Sequence, residues 1–234
     1  MTILTYNGKK LIISGKYLTN NQSISLPTPN IKYGYLYNHF AVRNPLFAPS
    51  GWHVPSKAEF DELSTYLIAS QAAYKLKETG TVYWLGTSGS VTNSTQMFAR
   101  GSGQRSGVNG TFTALRAQGT WWTSTYYGSS ILYYMGYVVY NDGYFTTGTA
   151  IEKNGFAIRL IKDDSNNLSS YTDINGNYYN TVKINNQVWM ASNWACTKLN
   201  DGTPLTKVTV NATWTALTTE GYCAYNNDEN NVFL

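Results

Sequence analysis

Charge is what this sequence has least of. Lys, Arg, Asp and Glu together make up 13% of its 234 residues, about half the usual globular share. Seventeen basic against thirteen acidic residues leave a net charge of +4. The tightest basic groups are Lys9-Lys10 and the pair Arg100 and Arg105, and no basic stripe exists to neutralise a row of phosphates, which argues against nucleic acid as a partner. Histidine occurs twice, as His39 and His53, and cysteine twice, as Cys196 and Cys223. No Cys/His cluster or His-x-x-x-His spacing results, so no metal is expected. The two cysteines suit one disulfide in an oxidising compartment or two small apolar thiols, and both readings stand. No stretch approaches the ~20 apolar residues of a membrane span, so no membrane insertion is expected. Met1 to Gly8 lacks the basic and apolar regions of a signal peptide, so no export signal is expected. A Gly-x-Ser-x-Gly elbow, a phosphate-binding loop and a Cys-His partnership within one motif are also missing, so the chain reads as no enzyme and calls for no cofactor.

What is present is aromatic and amide-rich. The chain holds 20 Tyr, 7 Trp and 8 Phe, and 42% hydrophobic residues, enough to bury a core. Residues 1–32 read as a leader. A hairpin around Asn7-Gly8 is followed by a polar, proline-containing linker from Thr19 to Asn30. Ser56 can cap a helix with Glu59 three residues on, and Phe60, Leu63 and Leu67 recur at helical spacing. A second short helix is predicted over Gln71 to Glu78, stopped by Gly80. From Val82 onward, short strands and glycine-rich turns replace helix signals. They include Trp121-Trp122, a tyrosine-rich run from Tyr126 to Phe145 with a turn at Asn141-Asp142-Gly143, and an apolar strand over Phe156 to Ile161 buried on both faces. Residues 163–170 are polar and read as a linker. Strands are then predicted over Tyr178 to Ile184 and Gln187 to Met190, joined by Asn185-Asn186, with a turn at Asn200-Asp201-Gly202. The fold class is α+β, with two short helices and a twisted antiparallel sheet.

Four blocks carry a resemblance. They are Tyr35-Leu36-Tyr37-Asn38 with Gly51-Trp52-His53-Val54-Pro55-Ser56-x-x-Glu59-Phe60; Gly119-Thr120-Trp121-Trp122-Thr123-Ser124-Thr125; Gly155-Phe156-Ala157-Ile158-Arg159-Leu160-Ile161-Lys162; and Asp173-Ile174-Asn175-Gly176-Asn177-Tyr178 through Lys183-Ile184-x-x-Gln187-Val188-Trp189-Met190-Ala191-x-Asn193. Together they resemble the Fibrobacter succinogenes major paralogous domain family, whose fold is similar to that of C-type lectins. The resemblance implies that the Asp-Ile-x-Gly-Asn block should open the domain and the Gly-Phe-x-x-Arg-Leu block should close it. Here the opening block stands at the C-terminus, so the pieces occur in permuted order. Residues 33–162 would form the body and lack its opening strands, leaving a sheet edge unpaired. Residues 171–234 would supply that edge, in their own chain as a circular permutant or in a neighbouring chain as a strand swap that builds a homo-oligomer.

Tyr126, Tyr127, Tyr133, Tyr134, Tyr137, Tyr140 and Tyr144 lie among Gly, Ser and Asn, the composition of a paratope, and three or four of them are expected in the core. Members similar to this chain sometimes diversify this stretch through retroelements. Trp121 and Trp122 should point to opposite faces, and both read as structural, with Trp52 and Trp189. His53 reads as a hydrogen-bonded core residue. Glu59, Asp61 and Glu62 suit a helix start. Asp173, Asn175 and Asn177 open like a calcium loop, but the twelfth position is Ile184 where Glu is required. The Glu-Pro-Asn and Trp-Asn-Asp motifs of sugar-binding lectins are absent, and Cys196 and Cys223 match poorly the paired cysteines of formylglycine-generating enzymes.

The expected function is therefore presentation of a surface. One reading is a virion protein (a fibre, tail or head-decoration component of a phage of Bacteroidetes-type hosts) that docks on other virion proteins through its leader. Its tyrosines would then face a host glycan or protein receptor. The alternatives are a bacterial cell-surface or secreted adhesin-like module, and a purely structural assembly protein.

Overall fold

An extended, fully buried segment, residues 155–161, runs between elements on its two sides. The computed structural model describes strands at 2–6 and 9–13 and residues 30–86, 89–128 and 131–234. In chain order come β1 (Thr2–Tyr6), β2 (Lys9–Ile13), β3 (Leu36–Tyr37), α1 (His39–Val42), β4 (Trp52–His53), α2 (Lys57–Tyr66) and α3 (Ala69–Leu76). Then follow β5 (Ser102–Arg105), β6 (Phe112–Leu115), β7 (Gln118–Tyr126), β8 (Leu132–Val139), β9 (Thr146–Ile151) and β10 (Ile161–Lys162). The last part holds β11 (Tyr171–Thr172), β12 (Tyr178–Tyr179), β13 (Thr181–Ile184), β14 (Gln187–Met190), β15 (Thr206–Lys207), α4 (Asn211–Ala216) and β16 (Gly221–Cys223). Among the described residues the fold is α+β, with four α-helices and both antiparallel and mixed sheets.

The two longer helices follow from local chemistry. Ser56 Oγ accepts from Glu59 N at 3.2 Å while Ser56 N donates to Glu59 Oε2 at 2.7 Å, a reciprocal cap that satisfies two end donors of α2. Phe60, Leu63 and Leu67 are all buried, as their spacing predicts. The second helix begins earlier than predicted, at Ala69, and ends at Leu76. Ile68, at φ +66, breaks α2 from α3 in a conformation that β-branched residues rarely adopt. Lys77 caps the helix in an extended conformation, and its ammonium donates to the carbonyls of Val139 (2.9 Å), Tyr140 (3.0 Å) and Asp142 (2.8 Å). It thereby pins the turn after β8 to α3. The short helices α1 and α4 lie outside the two predicted.

Five strands in the order β6-β5-β7-β8-β9 form the largest sheet. Its β8–β9 ladder runs unbroken from Leu132↔Ile151 to Tyr137↔Thr146, so the register continues through Gly136. Gly136 is required there because a Cβ would stand 2.6 Å from Phe145 and 2.8 Å from Phe60. Segment 155–161 is fully buried, as predicted, but only its end joins a ladder. Phe156 bridges Tyr37 and Ala157 bridges Trp121. Ile158 O accepts from Trp194 N at 2.8 Å and Leu160 O from Met190 N at 3.0 Å. Its backbone groups thus go alternately to the elements on either side, which is why it is extended without being a regular strand.

Residues 171–234 share two sheets with residues 33–162. One has the order β13-β14-β10-β4 and the other β15-β16-β3. All three apolar clusters draw on both parts of the chain: Trp194 and Tyr222 pack with Tyr37 and Trp122, Trp189 with Phe60, and Trp214 with Leu36. Asn193 is the polar hub of this contact. Its Oδ1 accepts from Trp121 Nε1 (2.8 Å) and Arg159 Nε (3.1 Å), and its Nδ2 donates to Tyr33 O (2.8 Å). Arg105, fully buried, lies between the rings of Phe112 and Trp214 and donates to Gly110 O, Val208 O, Thr209 O and Asn211 Oδ1. β1 and β2 pair with each other from Thr2↔Ile13 to Tyr6↔Lys9. The predicted Asn7-Gly8 turn and most of the Thr19–Asn30 linker lie outside the described residues.

Candidate functional site

The tyrosine run is divided by the sheet that carries it. Between the pairs Trp122↔Met135 and Tyr126↔Tyr133 the ladder shifts, with four steps along β7 against two along β8. The extra residues bulge toward neighbouring elements. Thr123 Oγ1 donates to Tyr134 O (2.8 Å), Ser124 N to Pro55 O (2.9 Å), and Lys57 N to Thr125 Oγ1 (2.9 Å). A bulge of this kind re-aims the side chains beyond it, and here those are Tyr126 and Tyr127.

At this end of the hairpin four tyrosines interlock. Tyr126 meets Tyr133 edge to face at 5.5 Å, and Tyr127 meets Tyr134 likewise at 5.1 Å. Tyr133 stacks at 3.5 Å on His39, whose pKa burial lowers to about 4, so the imidazole beneath it is neutral. Lys57 Nζ lies 5.3 Å from the centre of the Tyr134 ring. Tyr126 is 47% exposed, Tyr127 45% and Ile131 49%. Edge-to-face pairing holds these rings in place without burying them, so their outer faces are available at low entropic cost.

The other three tyrosines stand elsewhere. Tyr137 is half-buried beside Gly148 in the middle of the sheet. Tyr140 is half-buried and packs against Gly86. Tyr144 is 52% exposed beyond the turn pinned by Lys77. The eight residues of β8 separate the two ends by roughly 24 Å. None of the seven tyrosines is fully buried, against the three or four expected. Gly136 and Val138 take the positions that face α2, and Trp122 fills the opposite face.

Trp121 and Trp122 are both buried, in different apolar clusters. Trp122 Nε1 donates to Tyr37 O at 2.8 Å. Trp52 is buried near Tyr171, and Trp189 is buried and stacked on Phe60 at 5.7 Å. His53 is hydrogen-bonded as expected but lies outside the core, its side chain being 40% exposed. Its Nε2 lies 2.8 Å from Glu59 Oε1 and its Nδ1 2.5 Å from Asp163 Oδ1. The hydrogen bond to Glu59 raises its pKa, burial opposes this, and Asp163 adds to the rise. Burial alone would raise Glu59, but its bonds with His53 and Ser56 outweigh that and lower it. Asp163 could not be linked to His53 from spacing alone; β10 pairs with β4 through Ile161↔His53, and that long-range pairing brings it there. With both nitrogens held by carboxylates, the imidazole has none free to take a proton from a substrate.

Cys196 and Cys223 are both free and buried, so the bridged alternative is not formed. They belong to different apolar clusters, and burial pushes the thiols up to about 11 and about 12. Asp173 spends its oxygens inside its own loop, accepting from Asn175 N, Asn177 N, Asn177 Nδ2 and Tyr179 OH. Among the described residues no group of His, Cys, Asp and Glu is placed to hold a metal, and no helix is long and apolar enough to cross a membrane.

Residues 6–162 match the family model described as the Fibrobacter succinogenes major domain. No curated protein and no solved structure gives a match. The matched stretch begins inside the segment read as a leader and stops before residues 171–234.

Proposed function

This chain belongs to the Fibrobacter succinogenes major domain family, and within that family we propose that it serves recognition, not catalysis, by presenting the tyrosine cluster at the bulged end of β7 and β8 to a host glycan or protein receptor. The observation that carries this reading is the pairing of Tyr126 with Tyr133 and Tyr127 with Tyr134 while Tyr126, Tyr127 and Ile131 stay about half exposed. Aromatic faces of this kind stack on sugar rings and serve as rigid anchors in protein recognition. Lys57, ion-paired with Asp61, sets its ammonium beside the Tyr134 ring. We place the protein on a phage particle as a fibre, tail or head-decoration component; its low charge and its Tyr, Ser, Gly and Asn content support a life outside the cell. A bacterial surface or secreted module would use the same patch.

Replacing Tyr126 and Tyr127 together by Ala tests the patch. Both are exposed, so the fold should survive with a loss of no more than about 1.5 kcal/mol per site from the ring pairs, while binding to host cells or to a glycan array should fall at least tenfold. Binding that survives in the folded double variant would remove the patch from the function. Gold-labelled antibody against the chain should decorate phage particles in electron micrographs. Label confined to bacterial envelopes would favour the adhesin reading.

A further inference from the structure

A cavity of about 360 Å³ lies where the β13–β14 hairpin meets the loop after α3 and residues 31–32. No tyrosine of the cluster above lines it. Its lining includes a buried cation with no carboxylate partner. Arg159 is 1% exposed, and among the described residues its bonds go to Asn193 Oδ1, Met97 O and Met190 O. A buried guanidinium met by dipoles alone is costly unless a counter-charge reaches it. Burial and then the neighbouring Arg100 pull its pKa down to about 9, against a smaller opposing pull from Glu78. Arg100 is already paired with Glu78 and the half-buried Lys32 donates to Asn230 O, so among the described residues the fully buried charge in this wall without an ion-pair partner is that of Arg159.

Two further features mark the wall as more than a packing gap. Ser192 lines it with a buried hydroxyl that has no hydrogen-bond partner, and native structures rarely leave such groups unsatisfied. Gln96 and Phe98 line the other side in left-handed conformations, at φ +57 and φ +51. Strain of this sort gathers at ligand clamps. Phe98 is 41% exposed, so an apolar ring stands at the cavity with little burial to hold it there.

We propose that this cavity is a binding site for a carboxylate-bearing polar molecule of about monosaccharide size, its carboxylate seated on Arg159, its polar groups on Ser192 and Asn180, and its apolar face on Phe98. The volume falls within the range of small-ligand sites, roughly 300–1,000 Å³. A planar guanidinium matches a carboxylate in shape and charge. Glu78 on the same wall disfavours a dianion such as phosphate by like-charge repulsion.

Titration of the ¹⁵N-labelled full chain with four probes decides the matter. They are D-glucuronate, L-glutamate, D-glucose and inorganic phosphate. The Trp121 indole N–H is the reporter, because it donates to the same Asn193 oxygen that accepts from Arg159. We expect saturable shifts with D-glucuronate, L-glutamate or both, at half-saturation below about 10 mM, and none with D-glucose. Glucuronate binding alone identifies a sugar acid and glutamate binding alone an amino-acid or peptide carboxylate. Arg159→Lys should weaken the response at least tenfold, and Phe98→Ala, at an exposed position, several-fold with the fold intact. No saturable shift with either carboxylate would overturn the proposal. Phosphate binding as tight as carboxylate binding, or carboxylate binding unchanged in folded Phe98→Ala and Arg159→Lys variants, would overturn it too.

Discussion

His53 holds its proton more firmly than a free imidazole because Glu59 and Asp163 flank both ring nitrogens. Its raised pKa means that the bound proton stabilises the fold fully below the ordinary value of 6.5, and that this contribution is lost as pH rises through the higher folded value. Glu59 is shifted the other way, so its share is present above 4.5 and is lost as pH falls through the lower folded value. His53 and Glu59 together favour the fold most between about pH 4.5 and 6.5. With the His53 side chain 40% exposed, solvent screening limits the effect to under about 1 kcal/mol. Thermal melts of His53→Gln should therefore lack the gain in Tm that the parent shows between pH 8.5 and 6; a parallel pH profile would refute this. Arg105 is the opposite case, fully buried and bound to four acceptors. Arg105→Ala leaves the carbonyls of Gly110, Val208 and Thr209 short of a donor and empties the space between Phe112 and Trp214. Urea unfolding should show a loss of about 3–5 kcal/mol, and a loss below 1 kcal/mol would contradict the role given to it.

At the scale of elements, α2 shows how much the sequence reveals when the interactions are local. Ser56, Glu59, Phe60 and Leu63 lie within one short stretch, and cap, start and buried face can all be read from their spacing. Ser56→Ala should cost about 1 kcal/mol by chemical denaturation, because one reciprocal cap bond is lost. The β7–β8 hairpin shows the converse. Nothing local signals that β7 bulges between Trp122 and Tyr126, since the residues that take up the bulge are Pro55, Lys57 and the β8 backbone. Likewise Gly136 reads as a weak point in a strand until the rings of Phe60 and Phe145 are placed over it. Gly136→Ala should destabilise by about 1–3 kcal/mol through overpacking, and a neutral result would show that those rings can move aside.

For the whole molecule, the decisive contact is between residues 33–162 and 171–234. Arg105, Asn193 and the segment 155–161 all direct hydrogen bonds across it, and each apolar cluster spans it. We propose that the C-terminal segment fills the sheet edge that the body lacks, as the order of the sequence blocks suggests. A protease site placed between Asn166 and Asn167, followed by cleavage, should leave both pieces eluting together as one species at the size of the intact 26.1 kDa chain. Pieces that separate while staying soluble would refute the docking, and co-elution at twice that size would identify exchange between two chains.

Sequence alone determined the class of structure, the capped helix, the β13–β14 hairpin around Asn185-Asn186, the opposite facing of Trp121 and Trp122, and the burial of residues 156–161. Each of these depends on periodicity or turn chemistry among near neighbours. Tertiary structure decided which tyrosines group together, that His53 faces two carboxylates, that the cysteines remain thiols, and that Arg159 lines a cavity. Those outcomes depend on pairings between residues far apart in the chain, such as Ile161 with His53 and Trp189. Local propensity carries no information about pairings at that separation, because closing such loops is driven by the burial of the assembled core.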